Sequence, residues 1–232
     1  RDGRNNIVTI EDPPEYKIAG AIQYPVANAM DKLSRSEAFA KNFRSVLRSK
    51  PHVIMVGEIR DGVAANLLIE AAQSGHQAFT SIHAKDSFTI IPRLTQMGAQ
   101  RFLVQDSTLT VGLIFQRLVR RLCPECSIPF DEASGVEVSF AEAEFLRIFG
   151  PQVSRRFRFR NPHGCAHCKR GASQLELGYQ GLTVAAEVVN PTDVMLDHLT
   201  EGRRRDAMVE WFRQETALTA FEHGIRKMAE GQ

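Results

Sequence analysis

The sequence predicts an α/β fold: a parallel sheet with helices on its faces, then a small cysteine-bearing module and C-terminal helices. Three observations carry this. Short, fully apolar runs alternate with amphipathic stretches as far as Leu122. Two C-x-x-C pairs lie in the stretch that follows, where prolines and short segments dominate. From Thr192 onward, Met208, Trp211, Phe212, Leu218, Phe221 and Ile225 suit one face of amphipathic helices.

Ile7-Val8-Thr9-Ile10 is β-branched and is followed by Pro13, which reads as a buried strand and a turn. Ser34 or Ser36 can cap a helix that runs to about residue 49, with Phe39, Phe43, Val46 and Leu47 on one face. Pro51 stops it. Val53-Ile54-Met55-Val56 is a second apolar strand. Residues 63–74 read as a helix stopped by Gly75, and residues 78–82 as a third strand with His83 at its carboxyl end. Helices are predicted over about 87–97 and 109–122. The expected division is an α/β core at 1–121, a cysteine module at 122–182 and a helical region at 183–232.

Composition narrows the function classes. The 232 residues are 43% hydrophobic and 24% charged, which suits a globular protein with a real core. The formal net charge is only +2, so bulk electrostatics give no argument for nucleic-acid binding. No apolar run approaches the ~20 residues of a membrane helix, and no signal-peptide pattern is present, so the cytoplasm is the expected compartment. The chain opens on Arg1 in polar material that leads straight into a strand, and it is expected to be part of a longer protein.

Open α/β sheets bind ligands at the carboxyl ends of their strands. Unusual polar residues stand at three such ends: Glu11-Asp12-Pro13-Pro14-Glu15-Tyr16, Gly57-Glu58-Ile59-Arg60-Asp61, and His83. Taken singly, they also fit an acidic turn, a buried strand with a solvated end, and a surface histidine. Taken together, they suit a P-loop nucleotidase, in which a carboxylate at a rigid strand end holds Mg²⁺ and positions a water. The G-x-x-x-x-G-K-[ST] phosphate cradle is not among these 232 residues; it is expected upstream of the Ile7 strand.

In this order the motifs resemble the secretion ATPases of type II secretion and type IV pilus assembly. TIEDPPEY resembles that family's Asp box, PHVIMVGEIRD its Walker B motif and SGHQAFTSIHAKDS its His box. LCPEC and GCAHC resemble its tetracysteine zinc module, and GYQGLTVAAEVV and AFEHGIRKMAEG the stretches beyond. The resemblance covers nearly the whole chain and implies a RecA-like P-loop NTPase core that uses ATP and Mg²⁺. It implies that Glu11, Asp12 and Glu15 lie near the γ-phosphate, where a carboxylate can act as general base. Glu58 would stand at the Mg²⁺ and the attacking water, with His76 and His83 on the γ-phosphate side. Arg44 and Arg48 match arginines ahead of Walker B that can reach phosphates or acidic partners; a helix-surface ion pair is the alternative. Arg60 and Asp61 are expected to make a structural ion pair. Departures are Lys50-Pro51-His52 for Asp-Pro-Asp, Ser74 and Ala84 for Thr, Leu182 for Arg and His223 for Asp. The family further implies a homo-hexamer, peripheral at the cytoplasmic face of the inner membrane, that moves a membrane platform protein.

Cys123, Cys126, Cys165 and Cys168 are two pairs separated by 38 residues. Two such knuckles supply four thiolates to a closed, structural Zn²⁺, which takes tetrahedral sulfur at about 2.3 Å. His163 and His167 flank the second pair but are not needed to complete it. The run Arg155-Arg156-Phe157-Arg158-Phe159-Arg160 fits an edge strand with its phenylalanines inward; a nucleic-acid surface of alternating basic and aromatic residues is the other reading. The readings are therefore a secretion-type motor ATPase with no direct nucleic-acid contact, a zinc-dependent nucleic-acid module, or an oligomerisation and docking domain.

Overall fold

A computed structural model describes residues 5–26, 32–133, 146–147, 149–169 and 176–230. The chain forms two compact units, Arg1–Leu113 with Val189–Ala217, and Ile114–Val188 with Leu218–Gln232.

The first unit is built on a four-stranded, all-parallel sheet in the order β2-β1-β3-β4. Its strands are β1 (Ile7–Glu11), β2 (Ile22–Pro25), β3 (Val53–Val56) and β4 (Gln77–Thr80). Helices α1 (Lys32–Leu47) and α2 (Gly62–Gln73) lie on the connections. Alternation sorts the strand residues: Val8, Ile10, Ile54 and Val56 are at most 1% exposed and share one buried cluster with Phe43 and Val46 of α1 and Ala65, Leu68 and Ala71 of α2. Truncating a side chain as buried as Phe43 typically costs about 3–5 kcal/mol. β2 has no counterpart among the expected strands, and α1 begins at Lys32, ahead of both serines expected to cap it.

Beyond β4, a 3-10 turn (Ser87–Thr89) leads into α3 (Ile90–Gln96) and the single turn α4 (Arg101–Val104). The rest of this unit comes from the tail. α6 (Asp193–Thr200) and α7 (Arg204–Trp211) bring the fully buried Trp211 edge-on to Phe88, with centroids 5.4 Å apart. Arg204 reaches Asp86 at 3.0 Å, and the Ser107 N–H donates to Asp193, whose carboxyl is held below its ordinary range mainly by that bond. The blocks expected from chain order are thus distributed differently: the sheet core recruits residues 189–217 because its helices supply the apolar cover that the segment around Phe88 needs.

In the second unit, β5 (Leu113–Leu122) pairs with β8 (Tyr179–Val189). The helix expected over 109–122 is therefore a strand. Leu-Ile-Phe-Gln-Arg-Leu-Val-Arg-Arg-Leu is compatible with either period, and a partner about sixty residues later, anchored where the Cys123 N–H donates to the Gly178 carbonyl, decides for the strand. β6 (Ile128–Pro129) pairs antiparallel with β7 (Arg158–Phe159), just after the short helix α5 (Pro151–Ser154). Phe157 is 1% and Phe159 9% exposed, packed with Ala133, Ile225 and Ala229. The phenylalanines of the basic run point inward, as an edge strand requires, and offer no surface for base stacking. The helix α8 (Ala220–Ala229) opens on a Thr219/Glu222 capping box. Among the described residues, no helix is long and apolar enough to cross a membrane.

Asp61 caps α2, with its Oδ1 accepting from the Ala64 N–H at 2.9 Å. Asp61→Ala is expected to cost about 1 kcal/mol, read as a lower midpoint in chemical denaturation with an unchanged slope.

Candidate functional site

Parallel strands deliver their carboxyl ends to one edge, and β1 and β3 meet there closely. The Gly57 N–H donates to the Ile10 carbonyl at 2.9 Å. A Cβ on Gly57 would stand 3.3 Å from Glu11 Cγ, so a larger residue would press on the Glu11 side chain. The turn after β4 joins them: Ser81 Oγ donates to the Gly57 carbonyl and the Ile59 N–H to the Ser81 carbonyl.

These strand ends wall a cavity of about 670 Å³ whose polar lining includes Glu11, Asp12, Glu15, Glu58, Arg60 and His83. Glu58 is held from both sides. Its Oε2 accepts from Arg60 Nε at 2.8 Å, and its Oε1 lies 3.1 Å from His83 Nε2. Arg60 Nη1 also reaches Asp12 Oδ2 at 3.2 Å. The Arg60 guanidinium is raised above its ordinary value, first by the Glu58 hydrogen bond, with partial burial opposing. Arg60 is 49% exposed, so these pairs are worth under about 1 kcal/mol each and orient more than they stabilise. Glu11 is 9% exposed, and its Oε1 accepts from Thr9 Oγ1 at 2.5 Å and Gln23 Nε2 at 2.9 Å.

The sequence-derived candidates divide. Glu11, Asp12, Glu15, Glu58 and His83 share the cavity. His76 does not. It precedes Gln77 at the amino end of β4, with Nδ1 within 3.0 Å of Ser74 Oγ and the Ala71 carbonyl, where it finishes α2. Four strand residues at ~3.3 Å each separate it from the edge that holds His83. Arg44 on α1 and Arg48 just beyond it are exposed and do not line the cavity, whereas Ser36 and Phe39 of α1 do. Arg60 and Asp61 do not form the expected pair: Asp61 caps a helix and Arg60 turns to the acidic residues. Sequence reasoning missed the Arg60 bridge, Thr9, Gln23 and Ser81. Thr9 was findable, since alternation sets it on the same face as Glu11; Gln23 lies on an unexpected strand.

The four cysteines form a separate centre. They are reduced, and all four sulfurs lie within 4.8 Å of one another. Cys123–Cys165 and Cys165–Cys168 are 3.9 Å apart and Cys126–Cys168 3.8 Å. Four sulfurs at ~2.3 Å from one tetrahedral ion are about 3.8 Å apart, whereas a disulfide needs about 2.05 Å, so the donor set fits a thiolate-bound metal. The Cys168 thiol is drawn down to about 6, first by the Cys165 N–H at 3.2 Å and also by the Gly178 N–H at 3.4 Å. Burial pushes Cys126 up. Gly178 has φ +79°, and a Cβ there would stand 2.3 Å from the Asn161 carbonyl oxygen, so only glycine brings that N–H to the sulfur. His163 and His167 are exposed and outside the cluster.

The fold is shared with a solved pilus retraction motor, PilT with bound ADP. The TM-score is 0.57 over 98% of this chain and 49% of that one, at 21% identity. The chain belongs to the type II/IV secretion system protein family, whose profile matches residues 1–232. It is 30% identical to the type II secretion system ATPase E of Vibrio cholerae over 97% of its own length and 40% of that protein. It is 33% identical to the type IV pilus assembly ATPase PilB of Thermus thermophilus over 97% of its length and 23% of that protein. The chain thus spans well under half the length of these curated relatives.

Proposed function

We propose that the chain is the hydrolytic part of a motor ATPase that powers type II secretion or type IV pilus assembly. The observation that carries this is the convergence of Glu11, Asp12, Glu58 and His83 at the carboxyl edge of a parallel sheet, in a chain of this family. ATP would lie with its γ-phosphate against this acidic wall. Asp12 and Glu58 are the residues that would hold Mg²⁺, in part through water; the place between them already accommodates the positive charge of Arg60. That ion would spread the charge on the phosphoryl group. Glu58 or Glu11 takes a proton from the water that attacks the γ-phosphorus in line, and ADP leaves. His83 steers Glu58 and senses the γ-phosphate. Glu15, exposed on the cavity rim, is a second base or a Mg²⁺-water ligand.

His76, Arg44 and Arg48 keep a nucleotide role only through a neighbouring subunit, since none lines this cavity. The phosphate cradle would come from residues outside these 232. The edge strand β4, with Phe79 59% exposed, supports room for a further strand beside it. The relatives' names support a secretion or pilus role. A homo-hexamer at the cytoplasmic face of the inner membrane, moving a platform protein, is the assembly this reading requires. The cysteine centre holds a structural Zn²⁺, supported by its sulfur spacing.

Two measurements test these readings. In the full-length gene product, Glu58→Gln should lower ATP turnover by about 10²–10⁴-fold with nucleotide still bound; normal turnover would refute the hydrolytic assignment. Metal analysis should find one zinc per chain, and Cys126→Ser should lose it. Because such binding contributes on the order of 10 kcal/mol to a small module, the second unit of the variant should melt far below the first.

A further inference from the structure

The turn that carries the acidic residues is short for its job. β1 and β2 run parallel, so residues 12–21 must return the chain from the end of one strand to the start of the next. Such crossovers ordinarily take about a dozen residues or more and a helix; this one has no helix. A short crossover has few internal partners for its backbone groups. One side chain supplies several. Gln23 Oε1 accepts from the Ile18 N–H at 2.9 Å, and Gln23 Nε2 donates to the Tyr16 carbonyl at 3.0 Å and to Glu11 Oε1 at 2.9 Å.

The sheet register puts this amide where it is needed. Thr9 pairs with Gln23, and Glu11 is two residues beyond Thr9, so all three share one face of the sheet. The network also fixes the amide's orientation, because a flipped carboxamide would set its oxygen against two acceptors. Both bonds to Glu11 land on Oε1, which leaves Oε2 as the oxygen offered to a water in the cavity.

We propose that Gln23 is a positioning residue for the acidic turn: one carboxamide closes the β1–β2 crossover and aims the Glu11 carboxylate into the cavity. This rests on the hydrolytic reading above, with Glu11 as a group that handles the attacking water. Glutamate at 23 is the informative replacement. It has the same shape and still accepts from Ile18, but it sets an oxygen against Tyr16 and a like charge against Glu11.

The test uses steady-state ATP turnover and nucleotide affinity of the full-length gene product. Gln23→Glu should lower kcat at least about tenfold, with KM and nucleotide Kd within about twofold. In a Glu11→Gln background, Gln23→Glu should lower kcat by no more than about a further twofold, since the two act through one carboxylate. A purely structural role would instead give multiplying losses in the two backgrounds, with KM affected as much as kcat, and would overturn the proposal. Unchanged kcat in Gln23→Glu would also overturn it. If that variant does not fold, the isosteric Thr9→Val removes the other donor to the same Glu11 oxygen without touching the turn; it should lower kcat several-fold, and unchanged kcat refutes the aiming role. Glu58→Gln runs alongside: normal turnover there defeats the hydrolytic reading itself, whereas lost turnover there with normal Gln23→Glu defeats this proposal alone.

Discussion

Much of the first unit depends on β1 being paired on both sides in parallel. β2 and β3 register against it so that Ile10 stands opposite Tyr24 and Val56. That register brings Glu11 and Gly57 to the same level and delivers Glu58 one residue later. A slip of one residue would exchange the two faces of β1, burying Glu11 where Ile10 now packs. The apolar residues Val8, Ile10, Ile54 and Val56 therefore set the chemistry indirectly. Their preference for the helix-covered face leaves Thr9 and Glu11 on the other face, with Gln23 beside them.

The polar groups at this edge are held by interactions of a different kind. The Arg60 contacts to Glu58 and Asp12 are partly solvated, contribute little to stability, and can exchange partners at low cost. Glu11 sits deeper, with two donors on one oxygen. The site thus combines a fixed carboxylate rooted in the sheet with adjustable ones on the turns. The proposed hydrolysis would use both: rigid geometry where a proton would move, and loosely paired charges where the nucleotide's charge would arrive.

How far the sequence disclosed this depended on whether the deciding contacts were local. β1, β3, α2 and the cysteine quartet were legible because each is announced by its own residues: short apolar runs, a glycine stop, two C-x-x-C spacings. The α/β class followed from their alternation. β2 was not legible, since Ile-Gln-Tyr-Pro becomes a strand only by pairing with Val8 to Glu11. β5, whose sequence is compatible with a helix, is a strand for the same reason, its partner β8 lying about sixty residues away. The family resemblance groups the two histidines of one motif, yet β4 runs between them and carries them to opposite ends of the sheet. The Arg60 bridge is not legible in the sequence because its partners Glu58 and Asp12 converge only when the β1 and β3 ends do.

The cysteine centre shows the same dependence from the other direction. Its four sulfurs are legible from spacing alone, but its electrostatics are not. The Cys168 thiol is drawn down first by the N–H of Cys165 and also by that of Gly178, both aimed at its sulfur. Gly178 is also the residue whose carbonyl receives the Cys123 N–H at the junction of β5 and β8. One glycine with a positive φ thus joins the end of the long two-stranded sheet to the cysteine sulfurs. The cysteine sulfurs and that strand pairing thus share a single peptide, whose N–H meets Cys168 and whose carbonyl meets the Cys123 N–H. Among the described residues of this unit, Ala133, Phe157 and Phe159 form the buried apolar cluster, and the strand pair of ten and eleven residues leads directly into Cys123.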